Sequence, residues 1–136
     1  SEDPDLLIDC ASLTGAARIA LGTELPAFFC NDHQTTTDLL NTGLSSDDPL
    51  WNLPLHDAYR SMLDSSVADM NNIANASYGG SITAALFLQE FVQEDVPWIH
   101  VDFMAYNLRS IPGRTEGGEA MGMRALFTLI KQRLAQ

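Results

Sequence analysis

The side chains of this 136-residue chain that could do chemistry are three histidines, two cysteines and eighteen carboxylates. His33, His56 and His100 are far apart, and none sits in an H-E-x-x-H or similar local zinc signature. His100 and Asp102 lie two apart in the alternating run WIHVDFM, so both face one side of a strand. They are expected to form a hydrogen-bonded pair or, with a further acidic side chain, a fragment of a metal site. Asp64, Asp69 and Asp102 could serve as paired carboxylates, although with eighteen acids such groupings arise cheaply. Ser12 follows a strand-like run without the G-x-S-x-G context of a nucleophile elbow. The glycine-rich GRTEGGEAMG (Gly113–Gly122) resembles a phosphate loop only in composition. Glu119 stands where such a loop needs its lysine, and a carboxylate there repels phosphate. In Ala68–Ile73 the polar Asp69, Asn71 and Asn72 suit a loop braced by side-chain bonds to backbone, leaving Ile73 as a core or pocket residue.

The elements that must position these residues alternate between strands and helices, which implies an α/β fold. Asp5–Ala11 reads as a strand covered on both faces, and Leu25–Cys30 as a second strand whose Pro26 favours its start or an edge. Between them Ser12-Leu13-Thr14-Gly15 breaks the pattern and a small-residue segment follows. Thr35–Leu44 reads as a helix capped by Thr35 or Thr36, and His56–Leu63 as another. Trp51 and Leu53-Pro54-Leu55 form a corner between them, and Val67–Gly80 is an irregular loop. Ser81 can cap a buried helix over Ile82–Val92. Trp98–Met104 reads as a central strand and Asn107–Gly118 as a loop. Glu119–Ala135 closes the chain as a helix expected to turn Met123, Leu126, Phe127, Ile130 and Leu134 inward.

Size and charge narrow the function classes. With 46% apolar residues the chain reads as a single globular unit over residues 1–136, and no apolar run approaches the ~20 residues that span a bilayer. Seven basic against eighteen acidic residues give a net charge of −11, which disfavours nucleic acid and anionic membranes as partners. The acidic balance, the lack of a signal-peptide pattern and only two cysteines, Cys10 and Cys30, suit a reduced cytoplasmic setting. The first residue is Ser1, not Met, as expected of a processed chain or a piece of a longer one.

Five blocks carry a resemblance: LIDCASLTGAARIALG (Leu7–Gly22), PLWNLPL (Pro49–Leu55), VADMNNI (Val67–Ile73), GGSITAALFLQEF (Gly79–Phe91) and WIHVDF (Trp98–Phe103). In their order and near-identical spacing the chain resembles the leucine (cytosol) aminopeptidases, a family of two-metal, hexameric exopeptidases. The resemblance implies the C-terminal portion of that catalytic domain: part of a mixed sheet flanked by helices, without the N-terminal domain. It implies an enzyme that releases N-terminal amino acids from peptides using two divalent metals, Zn or Mn. It also implies that the metal ligands, and an arginine that holds a bicarbonate, lie upstream. The N-T-D-A-E-G-R motif carrying the last ligands is missing here, so no catalytic and no metal residue is expected in this chain.

What the resemblance leaves here is a substrate-binding wall: Ser12, Leu13, Thr14 and Gly15, with Ile73, Met104 and Asn107. The Leu13 carbonyl would accept from a substrate nitrogen, and the Gly15 N–H would donate to a carbonyl beyond the scissile bond. Ile73 would line the pocket for the residue after the cut, and Met104 and Asn107 the pocket for the N-terminal side chain. Met104-Ala105 and Asn107 depart from the better-known members, which should reshape that pocket and make it more polar. The implied partners are the peptide substrate, the upstream part of the same domain and further copies of the chain. The alternative is a relative that has lost catalysis and acts as an assembly or DNA-binding module.

Overall fold

The computed structural model describes residues 4–74 and 77–135; Ser1, and positions 75–76 of the Val67–Gly80 loop, lie outside the described residues. Strands β1 (Leu7–Ala11), β2 (Ala27–Cys30), β3 (Trp51–Asn52) and β4 (Trp98–Asp102) form one mixed sheet in the order β1-β4-β2-β3. β4 runs parallel to β1 and antiparallel to β2, and β2 runs parallel to β3. All five residues of β4 are buried, as expected for the central strand. β1 is instead an edge strand, with Leu7 and Cys10 exposed, so its expected cover on both faces is not provided by this chain.

Side-chain alternation along β4 divides the interior in two. Ile99 and Val101 pack with Phe28, Leu39, Leu50, Ala125 and Leu129 beneath helices α2 (His33–Ser45) and α4 (Met123–Leu134). On the opposite face Phe29 and Ala27 meet Ala17 of α1 (Gly15–Leu21) and Ala85 of α3 (Gly80–Gln89). Trp98, His100 and Asp102 share this second face by parity with Phe29 and Ala27, their neighbours in the antiparallel register.

Several boundaries differ from the sequence expectations for identifiable reasons. The small-residue segment after Ser12 is the helix α1, because Thr14 accepts from the Ala17 N–H and caps it. α2 begins at His33, since Asp32 and not Thr35 or Thr36 is the cap. Residues Asp57–Leu63 form a 3₁₀ helix. Ser81 lies within α3, which starts after Gly79 in the left-handed conformation and ends at Gln89, leaving Phe91 exposed.

α4 carries the largest correction. It starts at Met123, where Asp48 reaches across from the loop after α2 to accept from the Gly122 (2.9 Å) and Arg124 (2.8 Å) N–H groups. Its inward face is Ala125 and Leu129, one turn apart and seated against the core with Leu126 beside them. Met123, Phe127, Ile130 and Leu134 face outward as an exposed apolar stripe. The helix has more apolar residues than one seam can hold.

The Asp32 cap has a pH signature. The Thr35 hydroxyl, first, and the Thr35 N–H both donate to its carboxylate and hold its pKa below the ordinary aspartate range. A depressed folded-state pKa contributes stability above the unfolded value, lost as pH falls through the folded one. Asp32→Ala is expected to cost about 1 kcal/mol near neutrality. Urea titrations of the two proteins should converge as the pH drops below about 4.

Candidate functional site

The site grows from one register position. Asp102 is the last residue of β4, and its neighbours across the sheet are Ala11 on β1 and Ala27 on β2. Two alanines leave the carboxylate, only 2% exposed, open to the chain leaving β1. That chain is Ser12-Leu13-Thr14-Gly15. Asp102 Oδ1 accepts from the Leu13 N–H (3.0 Å) and the Thr14 N–H (3.3 Å), and Oδ2 accepts from Thr14 Oγ1 (2.6 Å). Ser12 Oγ donates to the Phe103 carbonyl at 2.7 Å, tying the same loop to the chain leaving β4. That hydroxyl is a tether, consistent with the absence of a nucleophile elbow.

The main-chain groups of the loop without a hydrogen-bond partner among the described residues include the Leu13 carbonyl and the Gly15 N–H. Leu13, 44% exposed, and Thr14 form one wall of a cleft of about 450 Å³ that Ile73, Leu63, Phe87 and Leu88 line with them. The lining is mostly apolar. Gly15, the next residue of the loop, brings no Cβ and so suits the close approach of another backbone.

The remaining residues singled out from the sequence divide. Ile73 joins Leu13 and Thr14 in the cleft. Met104 and Asn107 do not line it. Met104 follows β4 beside Ser12, and its carbonyl lies 3.5 Å from Ser12 Oγ. Asn107 is buried in a two-strand ribbon, β5 (Tyr106–Asn107) with β6 (Gly117–Gly118), where its amide donates to the Thr115 carbonyl (3.2 Å) and Glu119 Oε2 (2.8 Å).

His100 and Asp102 share a face as expected but do not bond to each other; each reaches across the sheet. His100 pairs in register with Asp9, and its Nδ1 lies 2.5 Å from Asp9 Oδ1. A carboxylate can only accept, so Nδ1 carries the proton. Asp9 Oδ2 accepts from Trp98 Nε1 at 2.6 Å, and the imidazole stacks between Phe29 and Trp98. This corrects the expected His100–Asp102 pair and removes the metal-fragment reading. Among the described residues no group of three or more His, Cys, Asp or Glu converges to hold an ion, so the residues present do not fit a two-metal centre. Both cysteines are free, and burial pushes both thiols above their ordinary pKa, for Cys10 with a contribution from the Asp9 charge.

The loop clamp was missed by sequence reasoning, which treated Asp102 as a partner for His100. Its signal was an acid at the end of a wholly buried strand with alanines opposite it on both neighbours.

A sequence profile described as "Cytosol aminopeptidase family, catalytic domain" matches residues 1–127. The chain belongs to the cytosol aminopeptidase family. The solved cytosol aminopeptidase from Coxiella burnetii is 52% identical and superposes with a TM-score of 0.91, covering 96% of this chain and 28% of that one. A probable cytosol aminopeptidase of Ehrlichia ruminantium is 43% identical over 133 residues, 95% of this chain and 26% of the relative. Peptidase B of Serratia proteamaculans is 38% identical, covering 96% of this chain and 31% of the relative. The chain thus spans 26–31% of the length of these family members. Their names are those of peptidases and lend no support to a noncatalytic, assembly or DNA-binding role. Among the described residues no helix is long and apolar enough to cross a membrane.

Proposed function

We propose that this segment is the substrate-holding wall of a metal-dependent aminopeptidase that releases N-terminal amino acids from peptides. It corresponds to the C-terminal part of the catalytic domain. The two divalent metals, Zn or Mn, are held by residues outside it, in a cytoplasmic homohexamer. The reading rests on one observation: Leu13, whose carbonyl has no partner among the described residues, lines a mostly apolar cleft, and the unpartnered Gly15 N–H follows two residues on. Alternating main-chain acceptor and donor groups bind an extended peptide whatever its side chains. Leu13 takes the substrate nitrogen and Gly15 a carbonyl beyond the scissile bond, while Ile73 packs against the side chain after the cut. Ser12 and Thr14 hold the loop in shape, and Met104 and Asn107 form the side toward the N-terminal residue. Fixing the peptide in this way contributes to rate by orientation.

The test is a transplant. Residues 1–136 replace the matching segment of the Coxiella burnetii cytosol aminopeptidase, and hydrolysis of leucine p-nitroanilide is followed with added Mn²⁺. The chimera is expected to turn over, and the 136-residue chain alone is not. A soluble, metal-loaded chimera without activity would overturn the reading, as would robust turnover by the isolated chain.

A further inference from the structure

We infer that Asp102 is a positioning residue that selects which main-chain groups of the 12–15 loop a peptide meets. The inference rests on the peptide-holding reading above and adds a residue that does not itself touch substrate. The chain between β1 and α1 carries main-chain donors that no strand or helix satisfies. Asp102 occupies two of them. Its Oδ1 takes the N–H groups of Leu13 and Thr14 at 3.0 and 3.3 Å, and its Oδ2 takes the Thr14 hydroxyl at 2.6 Å. Thr14 Oγ1 in turn accepts from the Ala17 N–H at 3.3 Å, passing the anchor into the first turn of α1. The groups left without a partner among the described residues include an acceptor, the Leu13 carbonyl, and a donor, the Gly15 N–H.

The carboxylate is itself enclosed. It is 2% exposed, sits at the end of the central strand and is flanked by Ala11 and Ala27. With a neutral apolar residue at 102 the Leu13 and Thr14 peptide units would be free to rotate, and the acceptor–donor pattern would be lost while the sheet persisted. A residue acting only on stability would weaken all substrates alike. A residue that orients the Gly15 N–H weakens most those substrates with a carbonyl beyond the scissile bond.

The experiment uses the whole chimeric enzyme and two substrates. Leu-Gly-Gly has that further carbonyl, and leucinamide lacks it. In Asp102→Ala, kcat/KM for Leu-Gly-Gly is expected to fall about tenfold more than for leucinamide, the scale of one misaligned hydrogen bond. Asp102→Asn should recover part of the ratio, because one amide oxygen can still accept both N–H groups. Thr14→Val should shift the ratio in the same sense, and Thr14→Ser should restore it; this pair stands in if Asp102→Ala does not fold. Equal losses on both substrates, with no recovery in Asp102→Asn or Thr14→Ser, would overturn the inference and leave the peptide-holding reading intact. An unsubstituted chimera that cleaves neither substrate would bring down both.

Discussion

Gly122→Ala is expected to destabilise the fold by about 2–4 kcal/mol, a large effect for a single methyl group. Gly122 has φ +80°, a left-handed conformation that costs an alanine about 1–2 kcal/mol. The added Cβ would also lie 2.9 Å from Leu50 Cδ2, inside contact distance of a residue that is only 3% exposed and part of the core. Overpacking of that kind costs about 1–3 kcal/mol. The substitution strikes where Asp48 accepts from the Gly122 and Arg124 N–H groups, so relaxing the clash loosens the cap of α4. Gly113→Ala is the comparison, since it shares a positive φ but has nothing within 4 Å of the new Cβ. Urea denaturation of both variants separates the two costs, and equal losses would show that Leu50 yields freely.

Asp9→Ala is expected to cost about 2–3 kcal/mol, because it leaves two buried donors, Trp98 Nε1–H and His100 Nδ1–H, without their acceptor. The Asp9 side chain is 40% exposed, so water can reach part of the gap and the figure stays below the full price of two orphaned groups. His100 already has an unpartnered Nε2 among the described residues, which leaves the ring no second anchor. Asp9→Asn should recover only part of the loss, since one of its two ends presents N–H to another N–H. The two tryptophans give a direct readout, with Trp98 1% and Trp51 56% exposed. Emission should shift to the red in folded Asp9→Ala as Trp98 meets solvent, and an unchanged spectrum would count against the arrangement.

Strong local patterns made much of the fold legible. WIHVDFM reads as a central strand because β-formers alternate without turn residues, and all of Trp98–Asp102 is buried. The α/β class followed from strands alternating with helices, while the main-chain role proposed for Ser12–Gly15 is what the family resemblance implies. What the sequence hid was settled by partners distant in the chain. Asp48 caps a helix whose first residue is Met123, so no local pattern marks that start. The sequence pattern of α4 points to its larger apolar residues as the inward face, whereas close packing seats the small Ala125 with Leu129 against the core. His100 and Asp102 satisfied parity, which fixes the face of a side chain but not its partner. Asp9 and Thr14 were the partners, and only the register identifies them.

The central place of β4 also dictates the sequence of events during synthesis. β1 pairs with no other strand of this sheet, and β2 has only β4 and the two-residue β3 beside it. Strands β1 and β2 therefore wait for a partner that β4 supplies only some seventy to ninety positions later. Contacts this remote form slowly, because loop closure precedes any gain from pairing. The 12–15 loop inherits that delay, since its clamp is the last residue of the late strand. A nascent chain stalled before residue 98 should leave open the edge of Leu7–Ala11 that β4 later covers, a natural target for chaperones that bind extended apolar segments. The part of the molecule that would hold peptides is thus, early in its own life, one that needs holding.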